Sequence, residues 1–349
     1  MKKPVKLVIT IPCLNEEDTL PETLRDLPRT IEGVDLIEVL IVDDGSTDQT
    51  ARIARRLGVK HVVRFKRNQG LATAYAAALD EALRLGADIV VNTDADNQYR
   101  GADIPRLIAP ILRGEADVVI GDRQIARHPE FSRTKKLFQR LGSWVVRRLS
   151  RTSIPDTTSG FRALSRDAAV RLNVISRFSY TLETILQAGI EKFAITSVPI
   201  SVNLKRRPSR LFRSTLQYIR NSAITIVRVH LLYRPLRTFF IPGAVSAAIG
   251  GGLGLRFLAY YLAGAGSGHI QSLILAAILI LGGATLVLAG LMADLIAANR
   301  RLMERTLVKM REMELRSLAW DVLADAEEPR STLESERAPA RETLIGAGA

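Results

Sequence analysis

Along the first 200 residues, short runs rich in β-branched residues alternate with stretches whose apolar positions recur every three or four residues. Val5–Ile11, Ile37–Val42, Val62–Phe65, Ile89–Asn92, Val118–Ile120 and Ile195–Val198 are nearly continuous apolar runs, predicted as buried strands. Thr19–Thr30, Gln49–Leu57, Leu71–Leu85, Ile104–Leu112 and Leu137–Arg148 carry the helical period. This alternation predicts an α/β fold with a mostly parallel sheet covered on both faces. The rhythm then changes. Thr238 to about Leu262, broken only by Arg256, and Ile270 to Ala293 are apolar, and no acidic residue lies between Glu191 and Asp294. Each run approximates the ~20 helical residues that cross ~30 Å of hydrocarbon, so the pair is predicted as a transmembrane hairpin around the glycine-rich Ala263–His269. Before it, Leu211–Tyr233 sets Leu216, Ile219, Ala223, Ile226, Val227 and Leu231 against Arg213, Arg220 and Arg228, which suits a helix lying in the headgroup layer. Arg300–Ala324 is a charged helical pattern, and the Glu/Arg/Ala/Gly mixture from Pro329 predicts a disordered tail. The expected segments are therefore 1–210, 211–235, 236–297, 298–328 and 329–349.

Composition sharpens this picture. With 47% hydrophobic and 24% charged residues in 349, the chain lies far from the disordered regime, and nothing before Pro4 resembles a signal peptide. The single cysteine, Cys13, excludes an intramolecular disulfide and leaves too few soft ligands for structural zinc, and the four histidines are scattered. The net charge of +13 is unevenly placed: residues 1–121 hold 16 Lys/Arg against 19 Asp/Glu, whereas 122–237 hold 23 against 6. Beside two apolar runs, such a surplus points to a bilayer with anionic headgroups. Arg228, Arg234 and Arg237 precede the first run, and Arg300, Arg301, Arg305 and Lys309 follow the second. These flanks predict a two-span plasma-membrane protein with its large domain and both termini cytoplasmic.

In a doubly wound sheet, ligands sit beyond the carboxyl ends of the strands. Four predicted strands end in Pro12-Cys13-Leu14-Asn15-Glu16-Glu17, Asp43-Asp44-Gly45-Ser46, Asp94-Ala95-Asp96-Asn97-Gln98 and Gly121-Asp122-Arg123. One acid after a strand is often only a helix cap, the role expected of Asp48, but acids at three strand ends exceed that explanation. Asp94 and Asp96, two residues apart, can face one hard cation, and oxygen ligands imply Mg2+ or Mn2+ rather than zinc. Such an ion usually keeps substrate phosphates in its shell, which suggests a nucleoside diphosphate leaving group. Glu16 and Asp44 can accept hydrogen bonds from a base or ribose, and Arg123 offers a planar cation for phosphate.

Together, P-x-x-N-E at Pro12–Glu16, D-D-G-S at Asp43–Ser46, D-A-D-x-Q at Asp94–Gln98 and S-G-F-R at Ser159–Arg162 resemble the inverting family 2 glycosyltransferases, and within them the polyprenyl-phosphate glycosyltransferases. The resemblance covers about residues 5–200. It implies a catalytic domain of the GT-A, Rossmann-like type, a divalent metal, a nucleotide-diphosphate sugar as donor and a polyprenyl phosphate as acceptor. Carried over by position, it implies that Pro12, Leu14, Asn15, Glu16, Val42 and Asp44 wall the nucleoside pocket. Asp94 and Ala95 would contact the donor, Asp96 and Gln98, with Asp94, would hold the metal, and Arg123 would meet the diphosphate. A basic loop closes over the donor in this family, and Lys205-Arg206-Arg207-Pro208-Ser209-Arg210-Leu211 stands in its place. The family's glycine before the serine is replaced by an Arg-Pro pair, so the choice among Lys205, Arg206 and Arg207 as diphosphate contact stays open, while Arg210 fits the basic residue after the serine.

A phosphate monoester has a second pKa of about 6, so the acceptor oxygen is largely anionic near neutral pH and needs a cationic cradle more than a strong base. Arg127, Arg133, Lys135, Lys136, Arg140 and Arg162 are the candidates, and Asp156 and Glu183 are the acids left to orient groups or serve as base. A polysaccharide synthase acting on a sugar hydroxyl is the nearest rival, but Q-x-x-R-W and further spans are missing from the sequence. A nucleic-acid partner is not expected, because clustered carboxylates repel a polyphosphate backbone. A catalytically silent membrane scaffold would not need Asp94, Asp96 and Gln98 together. Self-association into a homo-oligomer is left open by the sequence.

Overall fold

The computed structural model describes residues 4–124, 143–144, 146–147, 150, 152–174, 180–203, isolated positions between 220 and 231, 235–264, 270–327 and 344–345. It divides into two compact units, residues 1–226 with 310–349, and residues 227–309.

The first unit is a mixed sheet between helices. Strands β1 (Lys6–Cys13), β2 (Leu36–Asp43), β3 (His61–Phe65), β4 (Ile89–Asn92), β5 (Val118–Asp122), β6 (Arg162–Ser165), β7 (Ile195–Pro199) and β8 (Leu344–Ile345) stand in the order β7-β5-β6-β4-β1-β2-β3-β8. β6 is antiparallel to β4 and β5, and the other pairings are parallel. Leu7, Val8, Ile9 and Ile11 of β1 are fully buried, as a strand covered on both faces requires. Helices α1 (Leu20–Asp26), α2 (Thr50–Arg56), α3 (Leu71–Arg84) and α4 (Ile104–Leu112) complete the β/α units. α3 buries Ala72, Ala74, Tyr75, Ala78, Leu79, Ala82 and Leu83 on one face.

The six predicted strands and these four helices are present, with ends shifted by a few residues. β6, α5 (Arg166–Arg171) and α6 (Tyr180–Ile190) were not anticipated. β6 is four residues long, begins with arginine and is antiparallel, so neither period nor alternation betrays it. Ser165 caps α5 by accepting the Ala168 N–H at 3.2 Å. Asp48 does act at the start of α2, accepting the Thr50 N–H at 2.9 Å, although Gln49 is the capping position. Two residues of the tail read as disordered, Leu344 and Ile345, pair with Arg64 and Phe65 along the edge of β3. In the expected Leu137–Arg148 helix, Ser143, Trp144, Val146 and Arg147 are helical, and the rest lies outside the described residues or at its edge. Of the expected headgroup helix, Arg220, Ala223, Ile224, Val227 and Leu231 are helical, and the remainder lies outside the described residues.

The second unit is built from α7 (Pro235–Leu262) and the membrane-length part of α8 (Ile270–Glu327), both long and apolar enough to cross a bilayer. Their side chains point outward: Leu255 is 69% exposed, Leu262 77% and Leu281 68%, which a soluble core helix would not tolerate. The two helices approach closely through small residues, since a Cβ on Gly243 would stand 2.8 Å from the Gly283 carbonyl oxygen, and Ser246 Oγ donates to the Leu279 carbonyl at 3.0 Å. The second predicted span and the charged segment expected after it are one uninterrupted helix. From Met310 onward this helix belongs to the first unit, where Arg311 pairs with Asp80 at 3.0 Å and donates to the Val170 carbonyl and Asn173 Oδ1.

Candidate functional site

Sheet order converges the motifs. The chain leaves β1 on one side to build β2 and β3, then returns to build β4 on the other, so a crevice opens beyond the carboxyl ends of β1 and β4. Pro12–Glu16 lies on one lip, and Asp94–Gln98 on the other. Because β6 is antiparallel, its entry lies at the same end: Asn92, which closes β4, is opposite Arg162, which opens β6. The segment Asp156–Phe161 therefore arrives beside Asp94.

The first lip is laced by side-chain to backbone bonds. Asn15 adopts φ 55°, the left-handed region that asparagine tolerates, and its N–H donates to Ser46 Oγ at 2.9 Å while its Oδ1 accepts the Thr47 N–H at 2.8 Å. The Glu16 N–H donates to Thr50 Oγ1 at 2.8 Å, and its carboxylate accepts Thr19 Oγ1 at 2.7 Å. Asp44 accepts the Gln69 and Gly70 N–H groups at 2.6 and 2.9 Å, anchoring the entry to α3. Burial pushes its carboxyl above the ordinary range, outweighing those two bonds. Pro12, Glu16, Val42 and Asp44 are buried, and Leu14 and Asn15 are half-buried beside them.

On the second lip, the Gln98 N–H donates to Asp96 Oδ1 at 3.1 Å, and Asn97 takes φ 53°. Asn203 clasps this loop, donating its N–H to the Gln98 carbonyl at 2.8 Å and Nδ2 to the Asn97 carbonyl at 2.9 Å. Lys205, Arg206, Arg207 and Arg210 lie outside the described residues, as do Arg127, Arg133, Lys135, Lys136 and Arg140. Burial and the charge of Asp96 push the Asp94 carboxyl up to about 7. A cation would relieve this strain between two carboxylates. Among the described residues no three acids, histidines or cysteines converge, so Asp94, Asp96 and the amide oxygen of Gln98 would leave much of an ion's shell to water and phosphate. That donor set fits Mg2+ or Mn2+.

Arg123 and Asp156 form a fork: Nε and Nη2 of the arginine reach the carboxylate at 2.7 and 3.0 Å, and Nη2 also donates to Thr158 Oγ1 at 2.8 Å. The side chains are 12% and 2% exposed. Burial opposes both charges, yet Arg123 holds the Asp156 carboxyl below its ordinary range, and Tyr99, Asp156 and Asp94 hold the guanidinium firmly protonated. Asp156 is thereby the partner of Arg123 rather than a free base. Glu183 is buried in α6 and accepts from Gln187 Nε2 at 3.3 Å, one turn along that helix.

Arg162 differs most from its sequence reading. As an acceptor-phosphate cation it would have to be exposed, but it is fully buried, donating to the Thr181 carbonyl at 3.3 Å, to Thr184 Oγ1 at 2.5 Å and to the Ser159 carbonyl. Leading off a central strand, it faces inward. Sequence reasoning also passed over Asn92, Tyr99 and Tyr180. Asn92 Nδ2 donates to Tyr180 Oη and to the Gly160 carbonyl, both at 2.9 Å, and Tyr99 Oη accepts the Gly160 N–H at 3.0 Å. A polar residue ending the apolar run Ile89-Val90-Val91 was the available signal for Asn92.

Residues 8–172 match the model of glycosyl transferase family 2. The undecaprenyl-phosphate mannosyltransferase of Micrococcus luteus is 30% identical over 208 residues, covering 56% of this chain and 83% of that one. The dolichol-phosphate mannosyltransferase of Pyrococcus furiosus is 30% identical over 229 residues, covering 62% of each. Among solved structures, glucosyl-3-phosphoglycerate synthase from Mycobacterium tuberculosis in complex with UDP superposes with TM-score 0.51 at 22% identity, covering 64% of this chain and 80% of its own. The same enzyme in complex with Mg2+ and UDP gives 0.50 at 21%, covering 65% and 78%.

Proposed function

Because the chain belongs to the family 2 glycosyltransferases, we propose that it moves a sugar from a nucleoside diphosphate to a polyprenyl phosphate, with inversion, at the cytosolic face of the plasma membrane. The observation that carries this reading is the convergence at one sheet crevice of Glu16, Asp44, Asp94, Asp96 and the Arg123–Asp156 fork, in a chain with two helices of membrane-crossing length. Pro12, Leu14, Asn15, Glu16, Val42 and Asp44 bind the nucleoside. Asp94, Asp96 and Gln98 would hold Mg2+ or Mn2+, which when bound would supply charge neutralisation for the diphosphate. Arg123, kept cationic and oriented by Asp156, faces the same phosphates. The acceptor phosphate oxygen forms its bond to the anomeric carbon as the bond to the donor's terminal phosphate oxygen breaks. The acceptor oxygen is already largely anionic, so positioning replaces strong base catalysis. Relatives named for undecaprenyl-phosphate and dolichol-phosphate mannosyl transfer support a polyprenyl phosphate acceptor.

Purified full-length protein in detergent, supplied with Mn2+, a polyprenyl phosphate and a panel of nucleotide sugars, is expected to give a lipid-linked sugar detected by mass and abolished by EDTA. Transfer to a soluble phosphorylated acid with none to the lipid would overturn the acceptor while leaving the enzyme class. For the topology, a cysteine probe at Gly266 is expected to label from outside, and labelling only from the cytosol would refute the hairpin.

A further inference from the structure

Behind the metal-facing carboxylate lies a buried polar wall that the reaction scheme above does not use. Its centre is Gly160. A Cβ built there would stand 3.1 and 3.2 Å from the two Asp94 carboxylate oxygens and 3.0 Å from Tyr180 Oη. Carboxylate and hydroxyl therefore abut one point, vacant only because residue 160 is glycine. Gly160 itself is pinned, its N–H donating to Tyr99 Oη at 3.0 Å and its carbonyl accepting Asn92 Nδ2 at 2.9 Å. Tyr180 is held as firmly. Its ring stacks on Tyr75 with centroids 3.8 Å apart and planes 9° from parallel, and the Arg162 guanidinium lies 5.2 Å from its centroid. Asn92 donates to its oxygen at 2.9 Å, which leaves the hydroxyl proton for the Gly160 carbonyl, 3.5 Å away, while the Asp94 carboxylate abuts the same point at Gly160.

We propose that Tyr180 is a positioning residue of the donor site: its hydroxyl, with the missing side chain of Gly160, sets the rotation of the Asp94 carboxylate toward the cation. The inference rests on the proposed metal and donor site. It follows from rigidity, because a carboxylate on a loop keeps one orientation only if what lies behind it cannot move, and here the backing is a stacked ring and a doubly anchored glycine. Outer contacts of this kind commonly change metal affinity about 10–100-fold.

The test is Mn2+ uptake by the full-length protein in detergent with a nucleoside diphosphate present, followed by electron paramagnetic resonance of the free ion and accompanied by the thermal transition of each variant. Tyr180→Phe is expected to weaken Mn2+ binding about tenfold with its melting transition retained. Gly160→Ala should weaken it further, because the stacked ring cannot retreat and the carboxylate must turn. In the Gly160→Ala/Tyr180→Phe double variant the lost hydroxyl opens room for the new methyl, so the combined loss is expected to be smaller than the product of the single losses. Wild type that binds Mn2+ alongside a Tyr180→Phe variant within twofold of it, or a double variant whose losses multiply, would overturn the positioning role and leave the glycosyltransferase reading standing. Wild type that takes up no Mn2+ would overturn the metal site and this inference with it. Should Gly160→Ala fail to fold, the Tyr180→Phe titration decides alone.

Discussion

Replacing Asp156 by asparagine isolates the contribution of one buried ion pair. The substitution keeps the side chain's size and one oxygen acceptor, but removes the charge that faces Arg123 through bonds of 2.7 and 3.0 Å. With the side chains only 12% and 2% exposed, the remaining guanidinium cannot recover its hydration. Removing one partner of a buried pair costs about 3–5 kcal/mol, chiefly the price of the stranded charge. Asp94 lies within the same field, so the expectation is the lower end, ~3 kcal/mol. At 2–4 °C per kcal/mol for a domain of this size, the thermal transition should fall by roughly 10 °C. The sign against pH is also set. The Asp156 carboxyl is held below its ordinary value, so its stabilisation is complete above about pH 4 and is lost only as acid titrates the folded form. The asparagine variant should therefore differ from wild type most at neutral pH and converge with it in acid. Adding Arg123→Met to Asp156→Asn should recover part of the stability, since it removes the stranded charge itself, while transfer activity stays lost. The assay is thermal unfolding of purified protein in detergent across pH 3–8, followed by intrinsic fluorescence. An Asp156→Asn transition within about 1 °C of wild type at pH 7 would refute the argument.

Asp96→Asn should leave the melting transition intact but lower transfer by orders of magnitude at saturating Mn2+, and wild-type turnover in metal-free buffer would contradict it. Because the Asp94 carboxyl is raised to about 7, its proton must leave before a cation binds, so Mn2+ affinity should fall about tenfold per pH unit below 7 and level off above it; a flat titration from pH 5 to 8 would count against the coupling. In metal-free buffer the same group favours the protonated fold, so its contribution to stability should decline as pH rises toward 7, and Asp94→Asn should remove that slope. Arg311→Ala removes a pairing with Asp80 and donations to Val170 and Asn173, and should cost about 1–2 kcal/mol, read as earlier proteolysis of the segment beyond Met310.

Much of this molecule is decided locally, and that part the sequence determined by itself. A continuous run such as Val39–Val42 can be stable only where both faces are covered, and a run such as Ile270–Ala293 with no charge can be stable only in lipid or core, so the strands, the two helices of membrane-crossing length and the parallel α/β class follow from composition in short windows. Acids and an arginine grouped directly after several apolar strands exceed what helix capping needs, which is why Glu16, Asp44, Asp94, Asp96 and Arg123 stand out unaided. What only tertiary structure decided is which group faces which. Nothing within a few residues of Arg162 announces that it enters an antiparallel strand between β4 and β5, and that pairing turns a presumed surface cation into a fully buried one. The bond between Arg123 and Asp156 spans 33 residues, and that between Asn92 and Tyr180 spans 88. Their partners are set by sheet order, a property of the packed chain. Local periodicity records how each segment meets solvent, and only long-range packing records which segments meet each other.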